Sequence, residues 1–337
     1  MARLNLFARL SGVLVIGALL NGGTLPQEAK AAPPTATVVG TDVLQIRSCP
    51  ETSCDIVATA PLGASLTLGE KGGTPEPGDA AAAAADATAA FAATGRFLPV
   101  AYQGEAGYVP DLYLAVEPAH VPYLLQGEEG CKRVALIFNV GVGEKPARGI
   151  LDTLKAEQVA ATMFIMGWWA DAHPAILRRM VDDGYPIGSH GYAPIELTER
   201  SDDAVAHDIQ QAAEAIEHAT GKQPARLFTP YAAAMDERVR AIVATAGYLP
   251  IGWTVPAADY GATATEWSVY ERVMGSIHDG GIVELHLDGP ASAESTGRAL
   301  PRIVSELRSQ GYRFVTIPEM TQPCPSRSDT APPPSPS

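Results

Sequence analysis

The sequence predicts an α/β protein, a distorted (β/α)7-type barrel preceded by a small all-β barrel. Residues 133–143 read R-V-A-L-I-F-N-V-G-V-G, an apolar run closed by glycines that is typical of a strand buried on both faces of a parallel sheet. Residues 144–159 follow with apolar positions at helical spacing, and residues 160–166 predict a second strand, so a β/α repeat begins here. Upstream, residues 35–116 contain short alternating strands punctuated by Gly and Pro, which predict the all-β unit.

Length, composition and charge describe a folded, acidic chain. Its 337 residues are enough for two domains, each with a core of its own. A hydrophobic content of 46% and a charged content of 18% are typical of a globular protein. The 38 acidic and 24 basic residues give a net charge of −14, which argues against nucleic acid and anionic lipid as partners because both require a basic face.

Residues 1–31 predict a secretory signal peptide. Arg3 and Arg9 supply a basic start, residues 10–20 an apolar stretch, and A-K-A at 29–31 a cleavage site. The apolar stretch is much shorter than the ~20 residues that a spanning helix needs, so no membrane span is expected after cleavage. We therefore expect a secreted protein or one of the cell envelope.

Four cysteines lie downstream of this signal, where disulfides persist. Cys49 and Cys54 share one loop-like segment, whereas Cys131 and Cys324 bracket the β/α region. Pairing within each of these two sets is the expectation, although four cysteines allow more than one connectivity and the sequence does not choose among them. A metal site is the alternative, but the chain has no C-x-x-C motif or Cys–His cluster.

Three further segments complete the organisation around the two units. A Gly-, Pro- and Ala-rich insertion at residues 72–95 interrupts the all-β unit. Alanine favours helix, but this tract has little apolar face to dock, so we expect a mobile surface loop. Residues 117–132 are predicted as a linker, and residues 321–337 as a disordered Pro/Ser-rich tail.

Residues 133–320 continue as alternating strands and helices. Later strands are predicted at 186–189, 226–228, 249–255, 281–287 and 312–317, and helices at 174–183, 201–220, 236–246, 266–278 and 296–310. Gly221, Gly247 and Gly311 directly follow three of these helices, where left-handed caps belong. About seven strands result, which favours an incomplete barrel. An open doubly wound sheet is the alternative, but no Gly-rich phosphate loop follows the first strand.

Both units resemble known families. The pieces V-L-Q-I-R-S-C-P, P-L-G-A-S-L-T-L and G-Y-V-P-D-L-Y-L resemble bacterial SH3-like domains. That resemblance implies a module that contacts cell-wall peptide or glycan, and a spacer or a packing partner for the larger domain is the alternative. The larger domain resembles the polysaccharide deacetylases (NodB-like, carbohydrate esterase family 4), on the motifs A-L-I-F-N-V-G, D-D-G-Y-P-I-G-S-H-G-Y, F-T-P-Y, I-V-E-L-H-L and G-Y-R-F-V-T-I-P-E-M.

The second resemblance implies removal of acetyl groups from chitin-like, peptidoglycan or xylan chains. It implies a divalent metal, held by one Asp and two His, that polarises the acyl carbonyl and lowers the pKa of a bound water. It also implies an Asp base that takes the proton of this water, and a His acid that protonates the leaving amine.

This sequence departs from that catalytic set. Asn139 and Val140 end the first strand, where reactive groups are expected, yet they replace the Asp base and the metal-binding Asp. His190 occupies the first position of the H-x-x-x-H motif, whereas the second is Pro194. Phe228 replaces the arginine that orients the base. A single retained metal ligand is too few for the family's affinity, so no cofactor is expected.

Two acid–base residues of the family remain and one is new. Asp259 and His286 match the pair in which a carboxylate holds an imidazole protonated. Glu284 replaces the leucine of the acetyl pocket, and strand alternation places it on the same face as His286. Glu284 is interpreted either as half of a new charge pair or as an ordinary polar contact. His190 by itself is interpreted as a structural histidine.

These departures favour a glycan-binding or cell-wall-binding protein without metal-dependent hydrolysis, whose partner is a peptidoglycan-type polymer. Its candidate binding side chains are three aromatic residues, Tyr231, Trp253 and Tyr260. The alternative is an active deacetylase or esterase, either metal-free or zinc-dependent, with a rearranged site built from His190, Asp259, Glu284 and His286. Whether the chain is an enzyme, and how many copies assemble, stay open.

Overall fold

The computed structural model describes residues 34–69, 96–116 and 121–324. The predicted signal peptide, the predicted insertion at 72–95 and the predicted tail beyond Cys324 lie outside these ranges. Within them, no helix is both long enough and apolar enough to cross a bilayer.

The N-terminal unit is a seven-stranded sheet in which every pair is antiparallel. The strands are β1 (Thr35–Val38), β2 (Val43–Arg47), β3 (Ile56–Pro61), β4 (Ser65–Leu68), β5 (Phe97–Tyr102), β6 (Glu105–Pro110) and β7 (Leu114–Ala115). Their order is β3-β2-β6-β5-β4-β1-β7. Alternation sorts the side chains, since Leu44 and Ile46 of β2 are buried and Val43 is exposed. This sheet agrees with the predicted all-β unit, and its SH3-like character stays a prediction.

The second unit is a curled sheet of eight parallel strands. The strands are β8 (Arg133–Val140), β9 (Ala161–Ile165), β10 (Ile187–Ser189), β11 (Leu227–Phe228), β12 (Leu249–Pro250), β13 (Val255–Pro256), β14 (Ile282–His286) and β15 (Arg313–Val315). Their order is β12-β11-β10-β9-β8-β14-β13, and β15 pairs with the start of β8. In the described residues β12 and β13 do not pair with each other, which fits the predicted incomplete barrel.

Helices pack around this sheet. They are α1 (Arg148–Ala156), α2 (Gly167–Ala172), α3 (Pro174–Asp182), α4 (Asp202–Thr220), α5 (Glu237–Thr245), α6 (Glu266–Ser276), α7 (Thr296–Ser309) and α8 (Ile317–Met320). Helix α8 differs from the others because its Ile317 and Met320 join the cluster on the inner face of the sheet. The five helices predicted between residues 174 and 310 agree closely with α3 to α7. Gly221, Gly247 and Gly311 have φ of 75°, 88° and 83°, so the predicted left-handed caps are confirmed.

Strand β8 positions the site because it is buried along its whole length. Leu136, Phe138 and Val140 pack in the cluster formed with the outer helices. Ala135 and Ile137 pack instead in the cluster on the inner face of the sheet. Asn139 follows them on this inner face, as the period of two requires, at the carboxyl end of the strand.

The predicted strand at residues 249–255 is wrong, because it consists of two short strands, β12 and β13. Between them, Ile251 bridges to Leu124, and the Gly252 amide donates to the Leu124 carbonyl at 2.8 Å. A Cβ at Gly252 would lie 2.6 Å from Leu125 and Tyr123 atoms, so the linker approaches the backbone closely here. The backbone of residues 251 and 252 thus pairs with the linker, and the predicted strand is interrupted at this point.

The last predicted strand, at residues 312–317, ends early. It stops at Val315 because a capping box formed by Thr316 and Glu319 starts α8. The first predicted helix is also shorter than expected, since α1 begins at Arg148. Helix α2 was not predicted from the sequence.

The all-β unit packs directly against the α/β unit. The Gly40 amide donates to the Gly247 carbonyl at 3.1 Å, and the Tyr113 hydroxyl donates to Thr321 Oγ1 at 2.7 Å. Gly40 has φ +70°, and a Cβ there would lie 2.7 Å from Leu249 Cβ, so glycine permits this approach. These contacts support the packing-partner interpretation of the N-terminal unit.

Both expected disulfides form, Cys49–Cys54 and Cys131–Cys324, with Cα–Cα distances of 5.7 and 5.6 Å. The first closes a loop within the all-β unit. The second joins the linker before β8 to the segment after α8, so it brackets the α/β unit as predicted. The pairing proposed from the sequence is confirmed.

Candidate functional site

A cavity of about 480 Å³ opens at the carboxyl ends of the parallel strands. Its polar residues, which we call the floor, are Asn139, His190, Glu284 and His286. Its aromatic residues, which we call the wall, are Tyr231, Trp253 and Tyr260. Strand register assembles the floor, because β14 pairs with β8 so that His286 lies opposite Asn139.

Two positions that the sequence linked to this site do not line the cavity. Val140 is 0% exposed and packs in the helix-side core, because it faces opposite to Asn139 on the same strand. Pro194 is exposed on the loop that follows β10. The expectation that Asn139 and Val140 both stand among reactive groups is therefore wrong for Val140.

His190 is held in one tautomer. Its Nδ1 lies 2.9 Å from the Thr229 carbonyl oxygen and 2.8 Å from Thr229 Oγ1. A carbonyl only accepts, so Nδ1 carries the hydrogen and Nε2 is the unprotonated nitrogen. Thr229 Oγ1 in turn donates to Asn139 Oδ1 at 3.0 Å. Burial lowers the pKa of His190 to about 3, so the ring is neutral at ordinary pH.

The predicted pair of Asp259 and His286 is present. Asp259 Oδ1 lies 2.7 Å from His286 Nδ1, and Oδ2 accepts from the His286 backbone amide at 2.9 Å. The Thr296 hydroxyl also donates to Oδ2. Burial lowers the pKa of His286, but the hydrogen bond and charge of Asp259 outweigh it, and the pKa lies above its ordinary value.

Glu284 sits against both neighbours on the floor. Its Oε1 lies 3.3 Å from His286 Nε2 and 3.5 Å from Asn139 Nδ2, and the residue is 5% exposed. Burial raises the pKa of Glu284 to about 7. The contact with His286 favours the charge-pair interpretation of this glutamate. The floor thus carries a carboxyl and an imidazole in contact, and the pKa values of both lie above their ordinary values.

Asp288 is a buried carboxyl that the sequence analysis missed. Its Oδ2 accepts from the amides of Gly141 and Gly143 at 2.9 and 3.3 Å, which fixes the loop after β8. Gly141 has φ +125°, and a Cβ at Gly143 would lie 2.0 Å from the Asp288 carbonyl oxygen, so both glycines are required. Burial raises the pKa of Asp288 to about 6. The spacing of two from His286 was a signal for it.

Asp208 and Thr229 were also missed. Asp208 on α4 accepts from the amides of Tyr192 and Ala193 at 2.9 and 3.2 Å and holds the loop after His190. Thr229 joins His190 to Asn139 across two strands. No local sequence pattern marks these partners, because each lies far along the chain from the group that it binds.

The side chains present do not fit the divalent metal that the resemblance implies. Val140 and Pro194 have no donor atom, and Asn139 offers only an amide. Within residues 34–69, 96–116 and 121–324, no group of three or more His, Cys, Asp or Glu side chains is placed to hold a metal ion. The site therefore offers acid–base groups in place of the family's three-ligand set.

Glu284→Gln is expected to flatten the fall in stability between pH 5 and pH 7. A carboxyl whose pKa is raised from 4.5 to about 7 by folding binds its proton more tightly in the folded state. Its contribution to stability is therefore lost as pH rises through this window, by about 2 kcal/mol. Urea unfolding of both proteins at the two pH values measures the difference. The exposed Glu271→Gln is the control, and parallel pH curves for wild type and Glu284→Gln would contradict the assignment.

Comparisons with known proteins agree with this fold. Residues 126–251 match the family model described as polysaccharide deacetylase. The chain is 32% identical over 189 residues to the peptidoglycan-N-acetylglucosamine deacetylase PgdA of Listeria monocytogenes, covering 56% of this chain and 39% of that protein. This chain therefore spans less than half the length of that relative. It is 27% identical over 191 residues to the peptidoglycan-N-acetylmuramic acid deacetylase PdaA of Bacillus subtilis, covering 56% and 71%.

A solved structure adds a third similarity, to a CE4-family pseudoenzyme from Bacillus anthracis. The identity is 25%, the TM-score is 0.57, and the match covers 68% of this chain and 85% of that one. The residues matched by the family model, 126–251, lie almost entirely in the unit that carries the curled parallel sheet. These similarities together support a polysaccharide deacetylase domain of the NodB-like, carbohydrate esterase family 4 type in this chain.

Proposed function

We propose that this chain binds a peptidoglycan-type glycan in the cavity, in a secreted or cell-envelope setting, without metal-dependent deacetylation. The observation that carries the proposal is a cavity that combines an aromatic wall with an altered floor. The base position is an amide, Asn139, and neither Val140 nor Pro194 offers a ligand atom.

The wall supports a sugar ligand. Tyr260 is 60% exposed at the mouth of the cavity, and its ring stands edge-on to His286 with centroids 5.7 Å apart. Trp253 and Tyr231 line the same space. Apolar and aromatic surface with a few convergent polar groups is the usual composition of a small-ligand site.

The residues of the floor support the proposal that the family's first chemical step, activation of a water molecule by the Asp base, does not occur here. That step requires a group that accepts a proton from water. Asn139 Oδ1 already accepts from Thr229, and Asn139 Nδ2 faces Glu284. An amide in this arrangement positions its neighbours and takes no proton at neutral pH.

The relatives support both halves of the proposal. Two of them are named as deacetylases of peptidoglycan, which supports a glycan of that type as ligand. The Bacillus anthracis structure is described as a CE4-family pseudoenzyme, which supports retention of the fold without the activity.

Replacing Trp253 and Tyr260 together by alanine is expected to weaken cosedimentation with insoluble peptidoglycan by about tenfold, because buried aromatic contacts carry much of the energy of an interface. Trp267→Ala is the matched control, since Trp267 is 59% exposed and does not line the cavity. In parallel, protein incubated with zinc and then dialysed is expected to retain far less than one ion per chain. Stoichiometric zinc together with release of acetate from peptidoglycan would overturn the proposal.

One observation favours a second candidate, metal-free hydrolysis. Asp259, His286 and Glu284 form a continuous array with contacts of 2.7 and 3.3 Å. In this candidate Glu284 takes a proton from water as the water oxygen bonds to the acyl carbon. His286 then protonates the amine or alcohol as its bond to that carbon breaks, and acetate is released. Turnover of acetylated chito-oligomers or an aryl acetate in the presence of a chelator, abolished by His286→Ala, would support it. Absence of turnover would favour binding alone.

A further inference from the structure

The floor contains a carboxylate oxygen, Glu284 Oε2, that opens to the cavity and accepts no hydrogen bond from the described residues. Glu284 is 5% exposed, and its Oε1 makes both of its contacts, to His286 and Asn139. Among the residues that the structure describes, none donates to Oε2, and this atom is not sealed from the cavity that Glu284 lines. A carboxylate oxygen that faces a cavity and has no protein donor is free to accept, so the floor favours a ligand that donates hydrogen bonds.

The charges around the floor favour a cation. The carboxyl groups of Asp259, Glu284 and Asp288 surround one imidazole, His286, whose pKa they raise above its ordinary value. His190 Nδ1 donates to the Thr229 carbonyl, and no Lys or Arg lines the cavity in the described part of the chain. The acidic groups outnumber the basic one, so an anionic ligand is disfavoured and a cationic group is attracted.

The wall is compatible with the same kind of ligand. Tyr231, Trp253 and Tyr260 surround the space above Glu284. Aromatic faces pack against the apolar face of a sugar ring. They also attract a positive charge through the ring quadrupole. Wall and floor therefore both match a sugar that carries a positive charge.

An amino sugar presents one of two groups to this floor. A free amine is an ammonium ion, with three N–H donors and a charge that Glu284 complements. An acetamido group has one N–H donor and no charge, and it adds a carbonyl oxygen, which repels the carboxylate, and a methyl, which forms no hydrogen bond. We infer that the cavity selects deacetylated glycans, whose amino sugars carry a free ammonium, over their N-acetylated forms. This inference rests on the proposed glycan-binding function and specifies its ligand.

Calorimetric titration of the full chain with glucosamine and N-acetylglucosamine oligomers of equal length, at pH 7 and low salt, tests the inference. We expect the glucosamine oligomer to bind about tenfold more tightly, and added salt to reduce this preference. Glu284→Gln is expected to bring the ratio close to one while retaining affinity for the acetylated oligomer, which also verifies its fold. The exposed Glu271→Gln is expected to keep the full preference.

The outcomes separate this inference from the proposal beneath it. Equal or tighter binding of the acetylated oligomer to the unmodified protein would overturn the selectivity and leave glycan binding in place. Binding of neither oligomer would overturn the proposed function along with the selectivity. A preference that survives Glu284→Gln would overturn the role given to Glu284.

Discussion

Asp259→Ala is expected to lower the free energy of unfolding by about 4 kcal/mol, because it removes one partner of a buried ion pair. Asp259 is 0% exposed and accepts from the His286 ring, the His286 amide and the Thr296 hydroxyl. Without it, these donors stay buried and unpaired. Urea unfolding at constant ionic strength measures the loss.

The pH dependence and a conservative variant identify the cause. The pKa of His286 is raised by folding, so its stabilising contribution is complete below its ordinary value of 6.5 and is lost as pH rises through the folded value. The deficit of Asp259→Ala should therefore be larger at pH 6 than at pH 9. Asp259→Asn keeps an oxygen that accepts hydrogen bonds, so its free energy of unfolding should fall less than that of Asp259→Ala. Equal losses for both variants at both pH values would contradict a charge-based role.

The inner construction of the site is partly readable from the sequence. The apolar run that forms β8 predicts a strand buried on both faces, and all eight of its residues are buried. Alternation along β14 places Glu284 and His286 on one face, and both line the cavity. The pairing of Asp259 with His286 came from the family resemblance and is present at 2.7 Å. The alternation of side chains along each strand and the family motifs were sufficient to predict these three features.

Hydrogen bonds between residues far apart in the chain could not be predicted from the sequence. Thr229 binds His190 and Asn139, and Asp208 fixes the loop after His190, each from a separate element of the fold. Only the register of neighbouring strands and the docking of α4 bring these groups together. The single strand predicted over residues 249–255 failed for a related reason, since the linker at Leu124 takes its hydrogen bonds.

The electrostatic balance of the floor also depends on burial that sequence does not reveal. Glu284 is an ordinary glutamate by composition, yet burial raises its pKa to about 7 beside an imidazole. His190 occupies a metal-ligand position by resemblance, and the structure adds that burial keeps the ring neutral while the bond to Thr229 fixes its orientation. The same residue types in an exposed position would not have this chemistry.

Val140→Asp is expected to destabilise the fold by about 4 kcal/mol at pH 7, although the family resemblance places an aspartate at this position. The Val140 side chain is 0% exposed in an apolar cluster, so a carboxylate there must be neutralised or left unpaired. Holding a carboxyl of ordinary pKa near 3.9 neutral at pH 7 costs about 4 kcal/mol. Because folding raises the pKa of the new group, this cost appears above about pH 4 and is nearly absent below it.

Val140→Asn has a similar shape and no charge, so its loss of stability should not change between pH 4 and pH 7. Urea unfolding of the three proteins with a chelator present gives the comparison.

Adding zinc to the triple variant Val140→Asp, Asn139→Asp, Pro194→His tests whether the side chain at position 140 can reach the cavity. If that triple variant binds zinc and regains the lost stability, the side chain at position 140 turns toward the floor, and the mismatch between this site and a metal lies in residue types alone. If the triple variant stays destabilised and binds no zinc, the side chain at position 140 points away from the cavity and could not bind a metal there even as an aspartate.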